Sequence, residues 1–203
     1  MEKNVSFTRK LVLTAALSAL IIVLGITKLG LIPLGPAASI TILHVPIILA
    51  ACLIGLPYAL FTGAVFGIMS LVQAAMSPSG VLDPLFQNPF CSVLPRILTG
   101  LIAWTFWFVI NKIPKMPKTV NAAITGFLST VAHTLLVIGC LYIFMGSATR
   151  ESMGGMGYFA VIAVLAPQAA LEALAATIIR AAVFAGLFIS TKKKSKLSEE
   201  AEN

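Results

Sequence analysis

The sequence predicts an all-α integral membrane protein: six transmembrane helices, both termini cytoplasmic, and long ordered loops on the outer side. Three observations predict it. The 203 residues are 59% hydrophobic and only 10% charged, where a soluble domain carries about 25% charged residues. Apolar runs of roughly 18 residues or more recur along the chain, enough at about 1.5 Å per residue to cross the hydrocarbon of a bilayer. Almost every charge lies between these runs rather than inside them.

The elements follow in order, as one membrane domain over residues 1–203. The first span covers about 8–28 and is preceded by Lys3, Arg9 and Lys10. It is too long for the apolar core of a signal peptide and more spans follow, so an uncleaved helix is expected. The second, about 43–56, is short for a full crossing and is expected to be partly embedded or steeply packed. The third covers about 58–75, the fourth 89–111, the fifth 119–145 and the sixth 158–190. Residues 191–203, with Lys192, Lys193, Lys194, Lys196 and then Glu199, Glu200 and Glu202, read as a flexible cytoplasmic tail.

The net charge of +7 marks topology, not nucleic-acid binding. The basic residues collect before the first span, at Lys112, Lys115 and Lys118, and after the last span. The positive-inside rule makes these segments cytoplasmic. The inner connections are then short, Gly55-Leu56-Pro57 and 112–118. The outer connections are longer, about 29–42, 76–88 and 146–157, and rich in Gly, Pro, Ser and Asn (Gly30, Pro33, Gly35, Pro36; Pro78, Gly80, Pro84, Asn88; Gly146, Gly154, Gly155, Gly157). Long ordered loops are usually functional, and three on one face suit a lid over an external opening.

Cys52, Cys91 and Cys140 show no CxxC or Cys/His metal spacing. They read as small buried side chains, with neither a disulfide framework nor a metal site expected. Two small-residue motifs stand out: Ala15 and Ala19 on the first span, with Ala16 beside them, and Gly63 and Gly67 on the third. Such spacing lets helix backbones approach closely, either inside the bundle or at a docking surface for another membrane protein.

The charges inside the apolar runs are Arg96, His133 and Glu172. An ionisable group at bilayer depth costs about 2.5–3.5 kcal/mol on insertion scales and so normally faces a protein interior, a wet cavity or a ligand. With both termini inside, Arg96 lies about 10 Å below the outer boundary, Gln168 about 15 Å, His133 about 18 Å and Glu172 about 21 Å. Arg180, about 33 Å down, falls at the inner boundary and is expected to snorkel to the cytoplasm. Gln168 and Glu172 are four apart and share a helix face, as do Ser129 and His133. Asn88 and Gln87 stand where the outer loop enters the fourth span, and His44 heads the second. A guanidinium takes a carboxylate through two parallel hydrogen bonds, and amides, hydroxyls and imidazoles take hydroxyls. Arg96, Asn88, His133, Gln168, Glu172, Ser129 and His44 therefore form a candidate binding site for a small anionic or hydroxylated metabolite. A structural Arg96–Glu172 ion pair without a ligand is the competing reading.

Catalysis finds little support. The sequence has no HExxH, no GxSxG and no Walker A lysine loop, and no carboxylate pair within the spans. No enzyme activity, cofactor or metal is expected, and ATP hydrolysis would come from another chain.

Two stretches carry a family resemblance. One is Gly30-Leu31-Ile32-Pro33-Leu34-Gly35-Pro36 with Thr41-Ile42-Leu43-His44-Val45-Pro46-Ile47-Ile48. The other is Phe86-Gln87-Asn88-Pro89 followed by Ser92-Val93-Leu94-Pro95-Arg96. With the length, the six spans and the long outer loops, the chain resembles the substrate-binding S components of energy-coupling factor (ECF) vitamin transporters, most of all the pantothenate type. The resemblance implies a high-affinity vitamin-binding subunit in the multi-pass cell membrane of a bacterium, taking its ligand from outside. It implies partners as well: a transmembrane coupling protein and two ATP-binding-cassette ATPases, contacted through an AxxxA motif that Ala15 and Ala19 match. Pantothenate, with a carboxylate, two hydroxyls and an amide, would place its carboxylate on Arg96 and its polar body among Asn88, His133 and Gln168. Glu172 would orient Arg96 or accept a hydroxyl. The alternatives are another vitamin (pyridoxine, hydroxymethylpyrimidine or folate), a stand-alone proton-coupled transporter using Glu172, and a membrane enzyme with His133 or Glu172 as base.

Overall fold

The computed structural model describes residues 6–33, 39–78 and 80–202. Lys3, the Leu34-Gly35-Pro36 part of the first loop and Asn203 lie outside the described residues, as do the side chains of Lys192 to Lys196 and of the glutamates that follow. Among the described residues there are six α-helices: α1 (Phe7–Ile26), α2 (Val45–Leu53), α3 (Leu56–Met76), α4 (Pro89–Ile110), α5 (Lys118–Ser152) and α6 (Tyr158–Glu202). Five of them, all but α2, are long and apolar enough to cross a membrane.

The outer surface is largely apolar, and the interior packs polar groups among apolar ones. Phe61, Ile68, Ile143, Phe159 and Ile178 stand exposed, while Thr62, Thr99, Thr125, Thr130, His44, Arg96 and Arg180 are buried. Lipid offers no hydrogen bonds, so hydroxyls inside must find them in the protein. Many do so on their own helix, four residues back: Thr62 donates to the Tyr58 carbonyl, Thr99 to Pro95 and Thr130 to Gly126, the usual back-bonding of helical Thr.

The helices pack in chain order, α3 on α4, α4 on α5 and α5 on α6, with α1 against α3. Glycines permit the α3–α4 approach. A Cβ at Gly63 would lie 2.6 Å from the Arg96 carbonyl oxygen, and one at Gly67 would lie 2.6 Å from the Val93 Cα. The Gly63/Gly67 motif is thus internal packing. Ala15, Ala16 and Ala19, by contrast, are exposed on α1.

The short α2 is the central plug. Val45 through Ala51 are all buried, and α2 touches α1, α3, α4, α5 and α6. A helix that is apolar all round belongs in a core, so nine residues suffice where a crossing needs about twenty. Gly55, at φ +122°, makes the turn from α2 into α3 in a region that other residues avoid.

The outer connections hold more structure than their composition announces. In the first, β1 (Leu31–Pro33) pairs antiparallel with β2 (Ser39–Thr41), Leu31 opposite Thr41. In the second, a 3-10 turn covers Asp83–Gln87. The expected loop 146–157 is mostly helix: α5 runs on to Ser152 across a kink at Met145 (φ −136°, ψ 34°). The Thr149 hydroxyl sits 2.7 Å from the Met145 carbonyl and 3.1 Å from that of Leu141, occupying acceptors that the kink releases. At the other end α6 does not stop at 190 but stays helical to Glu202, through residues with good helix propensity.

Candidate functional site

A cavity of about 170 Å³ lies near the ends of α1 and α3, between the early turns of α4 and α6 and the middle of α5. One water needs roughly 10–15 Å³ of such space, so the room suits a small organic molecule. Arg96, His133, Gln168 and Glu172 stand on its wall, against apolar neighbours such as Phe66, Phe86, Val137 and Leu165.

Arg96 is placed by the start of α4. The Asn88 side chain accepts from the Phe90 N–H at 3.0 Å and caps the helix, Pro89 occupies the first turn, and the Ser92 hydroxyl donates to the Phe86 carbonyl. Pro95 sits inside α4. Lacking an N–H, it leaves the carbonyl of Cys91, four residues back, without its helical donor. Arg96 Nη1 donates to that oxygen at 2.8 Å. Its guanidinium lies 4.7 Å from the Phe86 ring centre and 5.4 Å from that of Phe66, cation–π distances. Its Nε is buried without a hydrogen-bond partner.

His133 is held by α4. Its Nδ1 lies 2.8 Å from Thr99 Oγ1, and its ring stacks on His44 with centroids 5.5 Å apart and planes 14° apart. His44 is fully buried behind it, 3.0 Å from Thr130 Oγ1 through Nε2. Glu172 is held by the first loop. The Ile42 N–H donates to the Gly30 carbonyl as the ribbon closes, and the preceding N–H, that of Thr41, donates to Glu172 Oε1 at 2.7 Å. Gln168 Nε2 donates to the same oxygen at 3.2 Å, the contact expected of residues four apart. Arg96 and Glu172 thus have separate anchors on different walls, and no ion pair joins them among the described residues.

The other sequence-predicted residues are placed elsewhere. Asn88 is not on the wall: its oxygen caps α4 and its nitrogen points to Met145 Sδ at 3.5 Å. Ser129 is fully buried one turn below His133 and does not line the cavity. His44 supports His133 from behind. Arg180 does not snorkel. It is fully buried, with Nη2 2.9 Å from Cys52 Sγ.

Sequence reasoning missed Ser70 and Gln73 on α3, Thr134 on α5, and Lys28 and Asp83 at the rim. Ser70 and Gln73, three apart in an apolar run, share a face, which was the available signal. Gln73 Nε2 donates to the Gly25 carbonyl at 2.6 Å and ties α3 to α1. Lys28 donates to Ser77 Oγ at 2.6 Å.

Comparison with known proteins adds the family. The family described as "ECF transporter, substrate-specific component" matches residues 9–184. A protein named pantothenate transporter PanT, from Leuconostoc mesenteroides subsp. mesenteroides, is 39% identical over 99 residues, 47% of this chain and 48% of its own length. The chain thus spans about half of that relative. A pantothenic acid transporter PanT from Lactococcus lactis subsp. cremoris is 26% identical over 160 residues, 72% of this chain and 76% of its own. With five helices long and apolar enough to cross a membrane, the chain belongs to the substrate-specific components of ECF transporters, as a multi-pass protein of a bacterial cell membrane.

Proposed function

We propose that this protein is the high-affinity binding subunit of an ECF importer and that its ligand is pantothenate. The observation that carries the reading is Arg96: a buried guanidinium on the wall of a ligand-sized cavity, with no carboxylate among the described residues paired to it. A ligand carboxylate would supply that charge through a bidentate contact. His133 and Glu172 supply acceptors for hydroxyls, and the apolar wall suits a branched carbon skeleton. The names of both relatives point to the same vitamin. With Lys112, Lys115 and Lys118 on the cytoplasmic side, the cavity faces outward. The coupling protein and two ATPases would supply ATP hydrolysis, docking on the exposed Ala15/Ala19 face.

Mass spectrometry of small molecules released from the purified, detergent-solubilised protein tests this, followed by calorimetric titration. Pantothenate is expected in the released fraction, with tight binding on titration and no heat from pyridoxine or hydroxymethylpyrimidine. Release of another vitamin, with no heat from pantothenate, overturns the ligand assignment.

A further inference from the structure

We propose that Thr99 is a positioning residue that fixes the tautomer of His133 and so makes the cavity demand a hydrogen-bond donor on its ligand. A threonine hydroxyl has one proton and two lone pairs. Thr99 Oγ1 lies 2.7 Å from the Pro95 carbonyl, which can only accept, so the proton goes there. The same oxygen is 2.8 Å from His133 Nδ1. With its proton committed, it can only accept, and Nδ1 must carry the hydrogen. In the neutral ring Nε2 is then a bare lone pair. Nε2 has no hydrogen bond to protein among the described residues, and the ring lines the cavity.

The layer behind repeats the device. Thr130 gives its proton to the Gly126 carbonyl at 2.9 Å and so accepts from His44 Nε2 at 3.0 Å. His44 stacks on His133 and Phe66 tilts against the His133 ring itself at 6.1 Å, so the ring is held in plane as well as in tautomer. Arg96, by contrast, has no acceptor. The wall therefore has a donor pole at Arg96 and an acceptor pole at His133. A matching guest carries an anionic group at one end and a hydroxyl or N–H proton at the other. This deepens the proposed function and rests on it for the identity of the guest, but the tautomer itself does not depend on the ligand.

The test uses that independence. The chain has two histidines, so two-bond 1H–15N spectra of 15N-histidine-labelled protein, with His44→Gln for assignment, resolve His133. The expected result is an Nδ1–H ring in the wild type and in Thr99→Ser, which keeps the hydroxyl, and loss of that preference in Thr99→Val. Pantothenate affinity is then expected to fall about tenfold in Thr99→Val, the scale of one hydrogen bond, and to hold within a fewfold in Thr99→Ser. A pantothenate analogue lacking the hydroxyl that meets His133 loses a similar factor on the wild type and nothing further on Thr99→Val. An unchanged His133 tautomer in Thr99→Val, with wild-type affinity, overturns the inference. If the wild type binds no pantothenate, the ligand assignment fails, while the spectra still judge Thr99.

Discussion

Arg96 donates to the carbonyl of Cys91, 2.8 Å away, the oxygen that Pro95 strips of its helical partner. The site's cation is thus anchored by a break in its own helix, leaving other guanidinium edges for the cavity. Replacing Arg96 with Ala removes the donor pole and leaves a buried carbonyl unpaired, at about 1–3 kcal/mol. The variant is expected to fold with a lowered melting temperature and to show no pantothenate heat in calorimetry. Arg96→Lys keeps the charge but not the planar fork, and its affinity is expected to fall more than tenfold. Wild-type binding by Arg96→Ala would make the residue structural.

Pro95→Ala tests the anchor rather than the charge. Alanine returns an N–H to the Cys91 carbonyl, and proline costs a helix interior about 3 kcal/mol. The variant is expected to melt no lower than the wild type yet bind pantothenate several-fold more weakly, because Arg96 loses its fixed direction. Thermal unfolding and titration together decide it. Equal affinity would mean that Arg96 needs no anchor.

Much of this architecture was legible because lipid imposes simple rules. Apolar length marks six spans, of which the structure keeps five as crossing helices and turns the short second one, α2, into a buried plug. Cost at depth singles out Arg96, His133 and Glu172, which line one cavity. The misses have different causes, and for Arg180 it is that sequence gives depth along a helix but not direction around it. Arg180 was placed at the right height to snorkel, yet its helix turns it inward against Gly126 and Cys52. Ser129 shares a helical face with His133 but stops a turn short of the cavity. Asn88, polar at the mouth of α4, spends its oxygen on the helix cap, and Asn before Pro at a helix start is itself a capping signal. Where α5 continues past 145, the Thr149 hydroxyl reaches back over the kink to the Met145 and Leu141 carbonyls, a contact no periodicity announces.

The exposed face of α1 gives a prediction that separates binding from transport. Ala15 and Ala19 touch nothing in the cavity and stand exposed. Small residues at this spacing allow close helix approach, and tryptophan there would hold a partner away. Ala15→Trp and Ala19→Trp are expected to bind pantothenate as the wild type does in titration. They are expected to lose most ATP-dependent uptake in vesicles that also contain the coupling protein and ATPases. Undiminished uptake removes α1 from the interface.

Gly126 on α5 and Arg180 on α6 fit closely against each other. A Cβ on Gly126 would lie 2.7 Å from Arg180 Nη1 and 3.2 Å from its Cδ. The guanidinium cannot retreat to solvent, since Arg180 is fully buried and Nη2 is engaged with Cys52 Sγ. Overpacking costs about 1–3 kcal/mol, against roughly 1 kcal/mol that alanine gains over glycine in a helix. Gly126→Ala is therefore expected to lower the melting temperature. In an Arg180→Met background the clash disappears and only the propensity gain remains, so the same Gly126→Ala change is expected to be neutral or stabilising. Arg180 has no acidic partner among the described residues, so Arg180→Met removes a buried charge without stranding an opposite one there, the costly case for buried ions, and the background is expected to fold. The double-mutant cycle reads the coupling directly. Additive melting shifts, with Gly126→Ala equally costly in both backgrounds, would mean that the two residues do not press on each other.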